Sequence, residues 1–186
     1  MAIQLTRKQF SIDEYERMIE GGVFDKEDRL ELIRGEIVEM ALIGLRHAAC
    51  VARLDALFHE QVSRKAIIWV QNPINLYGGS APQPDVVLLR PRNDYYASAR
   101  PTPSDVFLLV EVAESSLAAD RGVKLPLYAE AGVGEVWIVN LGQNTVEVYS
   151  NPRGNAYQNV RRATKGEVLE LPAGLHGTVE VNNIVG

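Results

Sequence analysis

The stretch Asp105-Val-Phe-Leu-Leu-Val-Glu-Val-Ala113 constrains the fold of this chain more than any other segment. Val106 to Val110 are apolar without interruption, so both faces of a strand there need cover, and such a strand belongs in the middle of a sheet. Glu111 sits near its end. A carboxylate in that position is costly unless something compensates its charge. The rest of the sequence must therefore supply two covering layers and a partner for a buried acid.

Helical spacing predicts the first cover. Ile12, Tyr15, Met18 and Ile19 recur on one face between Ser11, a candidate N-cap with Glu14 three residues on, and Gly21-Gly22 as a stop. Arg29 to Met40 alternates on either side of Arg34-Gly35 and predicts a tight hairpin with Leu30, Leu32 and Ile37 toward the core. His47 to Lys65 is the longest helical stretch, with an apolar stripe of Cys50 or Val51, Leu54, Leu57 or Phe58, and Val62. Strands are expected at Ile67–Val70, Ile74–Tyr77 and Val86–Arg90, and a surface loop over Pro91–Ser104. After the central strand, Asp120–Ala131 is expected to be helical and to end at Gly132. Glu135–Asn140 and Thr145–Ser150 make a strand pair, followed by short strands near Val168–Leu171 and Thr178–Val181. This order predicts an α+β fold with a mixed β-sheet and flanking helices.

At 186 residues the chain is long enough for one domain with a substantial core and short for two, so a single domain over 1–186 is expected. Hydrophobic residues at 46% and charged residues at 23% exclude a disordered or fibrous chain. Cys50 is the only cysteine, which rules out an intrachain disulfide and a cysteine zinc cage and fits a reducing, cytoplasmic setting. The opening MAIQLTRKQFSIDEYERM has no apolar signal-peptide core, and no apolar run approaches a membrane span. The formal charge of −5 counts against broad attraction to a phosphate backbone, although acidic metal ligands contribute to it and a cation would neutralise them.

Three features carry chemistry: Pro84-Asp85 opening a strand, Glu111 closing a buried one, and Asp120 with Lys124 on a helix. Two converging carboxylates repel, and a divalent cation relieves that repulsion. Hard oxygen ligands suit Mg²⁺ or Mn²⁺. Lys124, four residues after Asp120, shares its helix face and can project toward the strand end that carries Glu111, there to orient or deprotonate a water or to stabilise charge growing on a phosphate.

Six motifs in order sharpen this: Glu31-Leu-Ile-Arg-Gly-Glu-Ile; His47; Pro84-Asp85-Val-Val-Leu-Leu; Leu109-Val-Glu-Val-Ala-Glu-Ser-Ser; Asp120-Arg-Gly-Val-Lys-Leu-Pro-Leu-Tyr; and Ala131-Gly-Val-Gly-Glu-Val-Trp-Ile-Val. Together they resemble the Uma-two family of the PD-(D/E)XK nuclease superfamily, over about Arg29 to Asn140. The resemblance implies a restriction-endonuclease-like core of about 29–140 and an endonuclease that hydrolyses phosphodiester bonds in nucleic acid, DNA first. It also implies Mg²⁺ (or Mn²⁺) on Asp85, Glu111 and the carbonyl of Val112, with Glu31 completing the site. Ala113 stands where the superfamily places its lysine. By the same resemblance that lysine has moved to the next helix, as Lys124. A homodimer is an expectation of duplex cleavage, which needs two active sites or two events. The rival reading is an inactive nuclease-fold protein acting as a binding or regulatory module, and a third is hydrolysis of another phosphoester.

Simpler roles stand beside these. Asp85 after Pro84 suits a turn, Glu111 an ordinary salt bridge, and Lys124 a solvated helix surface. His47 at a helix start is more often exposed or hydrogen-bonded than functional, Tyr128 reads as packing, and Trp137 as core. His59 and His176 have no partners at zinc-ligand spacing. Arg90, Arg92, Arg100, Arg121, Arg153, Arg161, Arg162 and Lys165 are too scattered to define a basic groove.

Overall fold

The computed structural model describes residues 7–25 and 27–186. Residues 1–6, the head of the segment without a signal-peptide core, lie outside the described residues. Helix α1, Ile12–Glu20, starts on a capping box: Ser11 Oγ accepts from Glu14 N at 3.2 Å and Glu14 Oε2 accepts from Ser11 N at 2.8 Å. The hairpin β1 (Leu30–Ile33) and β2 (Glu36–Glu39) turns at Arg34 and Gly35 with φ of 50° and 77°, left-handed values that glycine adopts at little cost. With Tyr15, Leu32 and Ala81 it forms a small core of its own.

Helix α2, Leu45–Val62, lays Cys50, Val51, Leu54, Phe58 and Val62 on the main sheet. Each fully buried Leu or Phe of that stripe contributes roughly 1.5–3 kcal/mol. The helix begins two residues before His47 and stops before Lys65, because Ser63 takes φ of 50° and Ser63–Lys65 tightens into a 3₁₀ turn. Strands β3 (Ile67–Val70), β4 (Val86–Leu89) and β5 (Val106–Ala113) follow. Ile74–Tyr77 is not a strand. Ile74 and Leu76 are buried and alternate with less buried neighbours, but Ile74 N and Asn75 N donate to loop carbonyls of Pro82 and Pro101, and Gly78-Gly79 turns the chain after a single bridge.

The helix expected at Asp120–Ala131 starts earlier and is not uniform: α3, Leu117–Ala119, widens into a π-helical turn over Asp120–Lys124 and resumes as α4, Leu125–Ala131. It ends at Gly132 in the left-handed conformation, φ 81°. Strands β6 (Glu135–Asn140) and β7 (Thr145–Arg153) pair as expected, and β7 continues into β8 (Ala156–Ala163), which the sequence pattern did not predict. In β8 only Tyr157 and Ala163 are buried, so this edge strand lacks an apolar signature. Strands β9 (Val168–Glu170) and β10 (Thr178–Glu180) lead into a short unpredicted helix α5, Val181–Val185.

The main sheet runs β3-β4-β5-β6-β7-β8 and is mixed, with β5 and β6 parallel and every other pair antiparallel. Alternation divides its side chains. Val86, Leu88, Leu108, Val110 and Val112 pack with α2 and α5, whereas Val87, Leu89, Leu109 and Ala113 pack with α4. Glu111 falls on the α4 side. The sheet is thus covered on both faces, with the crossover helix linking the parallel pair. Among the described residues, no helix is long and apolar enough to cross a membrane.

Candidate active site

Glu31, His47, Gln83, Asp85, Glu111, Val112, Ser116, Asp120 and Lys124 line one cavity of about 270 Å³ at the ends of β1, β4 and β5. Lys124 is its hub. Nζ lies 3.2 Å from Oε2 of Glu31 and 3.3 Å from Oε1 of Glu111, and all three side chains are buried. Ionisable groups buried this closely need partners, and the lysine is within reach of both acids.

The wide turn of the helix explains how Lys124 reaches them. From residue 120 to 128, a regular α-helix would carry the side chains about 80° past two full turns. The π-helical segment, closed by the Leu125 N to Asp120 O bond, needs more residues per turn and takes up much of that drift. Asp120, Lys124 and Tyr128 consequently all face the sheet and all are buried. Tyr128, expected as packing, is fully buried and also donates its hydroxyl to Glu111 Oε1 at 2.5 Å.

Each carboxylate is held by donors of the chain. Glu31 Oε2 also accepts from Gln83 N at 3.2 Å, and Asp120 Oδ2 accepts from Ser116 Oγ at 2.6 Å. Asp85 is the most heavily engaged: Oδ2 accepts from Val112 N at 2.8 Å, Oδ1 from Gln71 Nε2 at 3.2 Å, and His47 Nε2 stands 3.0 Å from Oδ1 and 3.1 Å from Oδ2. The Val112 bond ties the start of β4 to the end of β5. The hydrogen bond to Asp85 raises the pKa of His47 against the effect of burial.

Burial pushes Glu111 up to about 8, against the pull of Lys124 and with the help of Asp120 and Asp85. Asp120 is raised too, chiefly by burial. Burial alone would lower Lys124, but Glu111, Glu31 and Asp120 outweigh it and hold the ammonium above its ordinary value. The cavity thus carries more acid than its lysine and histidine offset. As the side chains stand, no three acidic, histidine or cysteine groups among the described residues form a ready-made metal cage. The donors nevertheless suit a hard cation that keeps most of its waters and needs only one or two carboxylates. For Glu31, Glu111 and Asp120 the donors named above all converge on a single oxygen.

A family model described as "putative restriction endonuclease", Uma2, matches residues 12–182, nearly the whole length. The chain belongs to the Uma2 family. Its fold is similar to the crystal structure of a putative nuclease belonging to DUF820 from Anabaena variabilis, with a TM-score of 0.74 at 16% identity over 95% of this chain and 97% of that one. At that identity the likeness shows the fold: restriction-endonuclease-like, with a mixed sheet between helices. No curated protein matches the chain.

Within this Uma2 chain, the structure brings Asp85, Glu111, Val112, Lys124 and Glu31 to one cavity. Sequence reasoning favoured an exposed or hydrogen-bonded His47 over a functional one and a packing role for Tyr128; in the structure His47 stands on Asp85 and Tyr128 on Glu111. The place of His47 in the ordered motif set was the available signal. Several scattered arginines are already engaged: Arg90 lies over Phe107, Arg92 pairs with Asp94, Arg121 with Glu147 and Arg161 with Glu167.

Proposed function

We propose that this protein is a divalent-metal-dependent endonuclease that hydrolyses phosphodiester bonds in nucleic acid, DNA first. Asp85, Glu111 and the Val112 carbonyl would hold Mg²⁺ or Mn²⁺, with Glu31 in support. The observation that carries this reading is Lys124 Nζ seated between Glu31 and Glu111 in the cavity that Asp85 and Asp120 also line. When bound, the cation supplies Lewis-acid charge for the phosphate and eases deprotonation of a water.

The chain's own groups divide the remaining work. Lys124, held as an ammonium by three carboxylates, donates hydrogen bonds to charge growing on the phosphate and orients the attacking water; it is a poor base. His47, Gln71 and Val112 N fix Asp85, and Tyr128 fixes Glu111. The test is cleavage of supercoiled and linear DNA by purified protein with and without Mg²⁺ or Mn²⁺, compared with Asp85→Ala and Lys124→Ala. Metal-dependent cleavage abolished by either substitution is expected; activity indifferent to both sinks the assignment.

The formal charge of −5 favours a second reading, a nuclease-fold binding module without catalysis. Mn²⁺ discriminates the two, since a ligand of the folded state raises the melting temperature. Absence of both a thermal shift and calorimetric binding would favour the module.

A further inference from the structure

Gln71 turns the chain away from the end of β3 with φ of 48°, a left-handed conformation that disfavours any residue with a β-carbon. Glycine or asparagine makes such a turn more easily. Glutamine offers length instead. The backbone N–H of Gln71 donates to the Asp85 carbonyl at 3.0 Å, and its Nε2 donates to Asp85 Oδ1 at 3.2 Å. One strained residue thus grips both the main chain and the carboxylate of Asp85. The other non-glycine residues in this conformation among those described, Arg34, Ser63, Tyr95, Tyr96, Asn144 and Asn151, make no hydrogen bond to a side chain of the catalytic cavity. The grip continues to a second acid. Gln83 Nε2 donates to the Gln71 carbonyl, and Gln83 N donates to Glu31 Oε2 at 3.2 Å. Pro82 and Pro84 flank Gln83, fixing φ on either side of it and biasing Ala81 and Gln83 toward extended backbone. Glu31 on β1 and Asp85 just before β4 are thereby joined through two glutamines.

We propose, resting on the metal-site reading above, that Gln71 and Gln83 form a strut that sets the spacing between Asp85 and Glu31. The left-handed backbone of Gln71 is retained because the strut needs a side chain of that length. Both glutamines act through the two acids and are positioning residues. Strained backbone persists where surrounding bonds over-determine it. Here the three hydrogen bonds on Gln71 do so, and two of them end on Asp85. A shorter side chain at 71 leaves Asp85 with His47 and Val112 N, so the fold keeps its ladder while the carboxylate gains freedom to swing. A ligand that swings binds a cation more weakly, because its orientation must be fixed on binding.

Gln71→Gly and Gln71→Asn both suit the backbone and lose the reach, so the melting temperature of each full-length variant should stay within about 4 °C of the parent. Hydrogen exchange in the presence of a chelator reads the strut without metal. The Val112 amide, which donates to Asp85 Oδ2, should exchange about fivefold faster in both variants, with the Val110 amide of the same strand unchanged. Gln83→Ala, which frees the Gln71 carbonyl, should quicken the same amide, and combining it with Gln71→Gly should add nothing further. By calorimetry, Mn²⁺ affinity should fall about tenfold in each. Asn72→Ala removes the neighbouring bond to the Val70 carbonyl, 2.8 Å long, and should alter neither Val112 exchange nor Mn²⁺ affinity. Val112 exchange at the parental rate, a quickening shared by all of β5, additive effects of the two glutamines, or variants that bind Mn²⁺ as tightly as the parent would each overturn the strut. A parent that binds no Mn²⁺ would instead sink the metal reading, and the exchange rates would still decide whether Gln71 holds Asp85.

Discussion

The hydroxyl of Tyr128 and the ammonium of Lys124 meet on the same oxygen of Glu111, at 2.5 and 3.3 Å. Two donors on one oxygen fix the rotamer of the carboxylate and leave its second oxygen for another ligand. Tyr128→Phe keeps the buried ring and removes only the hydroxyl. It should cost about 1–3 kcal/mol in urea unfolding and weaken Mn²⁺ binding by about tenfold, as loss of a group that orients a ligand commonly does. Calorimetry that finds the stability loss but an unchanged Mn²⁺ affinity would reduce Tyr128 to packing.

Lys124→Met removes the charge while retaining much of the side-chain volume. Glu31 is then left buried without its cation, and Glu111 as well once it ionises toward about pH 8, a change expected to cost about 3–5 kcal/mol in the metal-free protein. Mn²⁺ should restore part of that loss, because the cation supplies the missing positive charge. A variant as stable as the parent, with no response to Mn²⁺, would contradict the charged network.

Metal affinity should depend on pH through Glu111. Its pKa is raised from 4.5 to about 8, so the folded protein holds a proton that the unfolded chain releases across that interval. Stability of the metal-free protein therefore has a component that falls as pH rises from about 4.5 toward about 8. Mn²⁺ must displace the same proton, so its affinity should climb over this window and level off above it. Calorimetry in buffers of different ionisation enthalpy counts the proton released; an affinity that is flat through neutral pH would remove Glu111 from the ligand set.

Cys50 offers a probe of the opposite face. It is fully buried on α2 with Sγ 3.4 Å from the Ile184 carbonyl, and burial pushes its thiol up to about 11. A disulfide reagent such as DTNB at mildly alkaline pH should leave the native protein untouched and titrate one thiol after denaturation. Labelling that outpaces loss of the circular dichroism signal would show that α5 does not stay docked on α2.

The sequence revealed elements whose local chemistry is strong and missed those that depend on distant partners. The capping box of α1, the Arg34-Gly35 turn, the α2 stripe and the apolar run of β5 are all written in adjacent residues. Strand β8 is held by its pairing with β7 and by two inward side chains, so its polar composition concealed it. Ile74–Tyr77 misled for the converse reason, since burial gave it strand-like alternation without a ladder. In the site, Asp85, Glu111, Lys124 and Glu31 stood out because their motifs come in a recognisable order. The contacts of His47 and Tyr128 close loops of 38 and 17 residues, which no local pattern announces.

A lysine two residues along β5 would travel with Glu111 wherever that strand went. Lys124 instead rides on the crossover helix, whose position against the sheet is set by Leu127, Ala129 and Val133. A chain whose strands have paired before this helix has docked holds its acids but not its cation, and its carboxylates repel one another. Docking and charge neutralisation are therefore the same event, so the hydrolytic centre proposed here would be assembled only in the finished fold, and a half-folded copy would be harmless to the cell's nucleic acid.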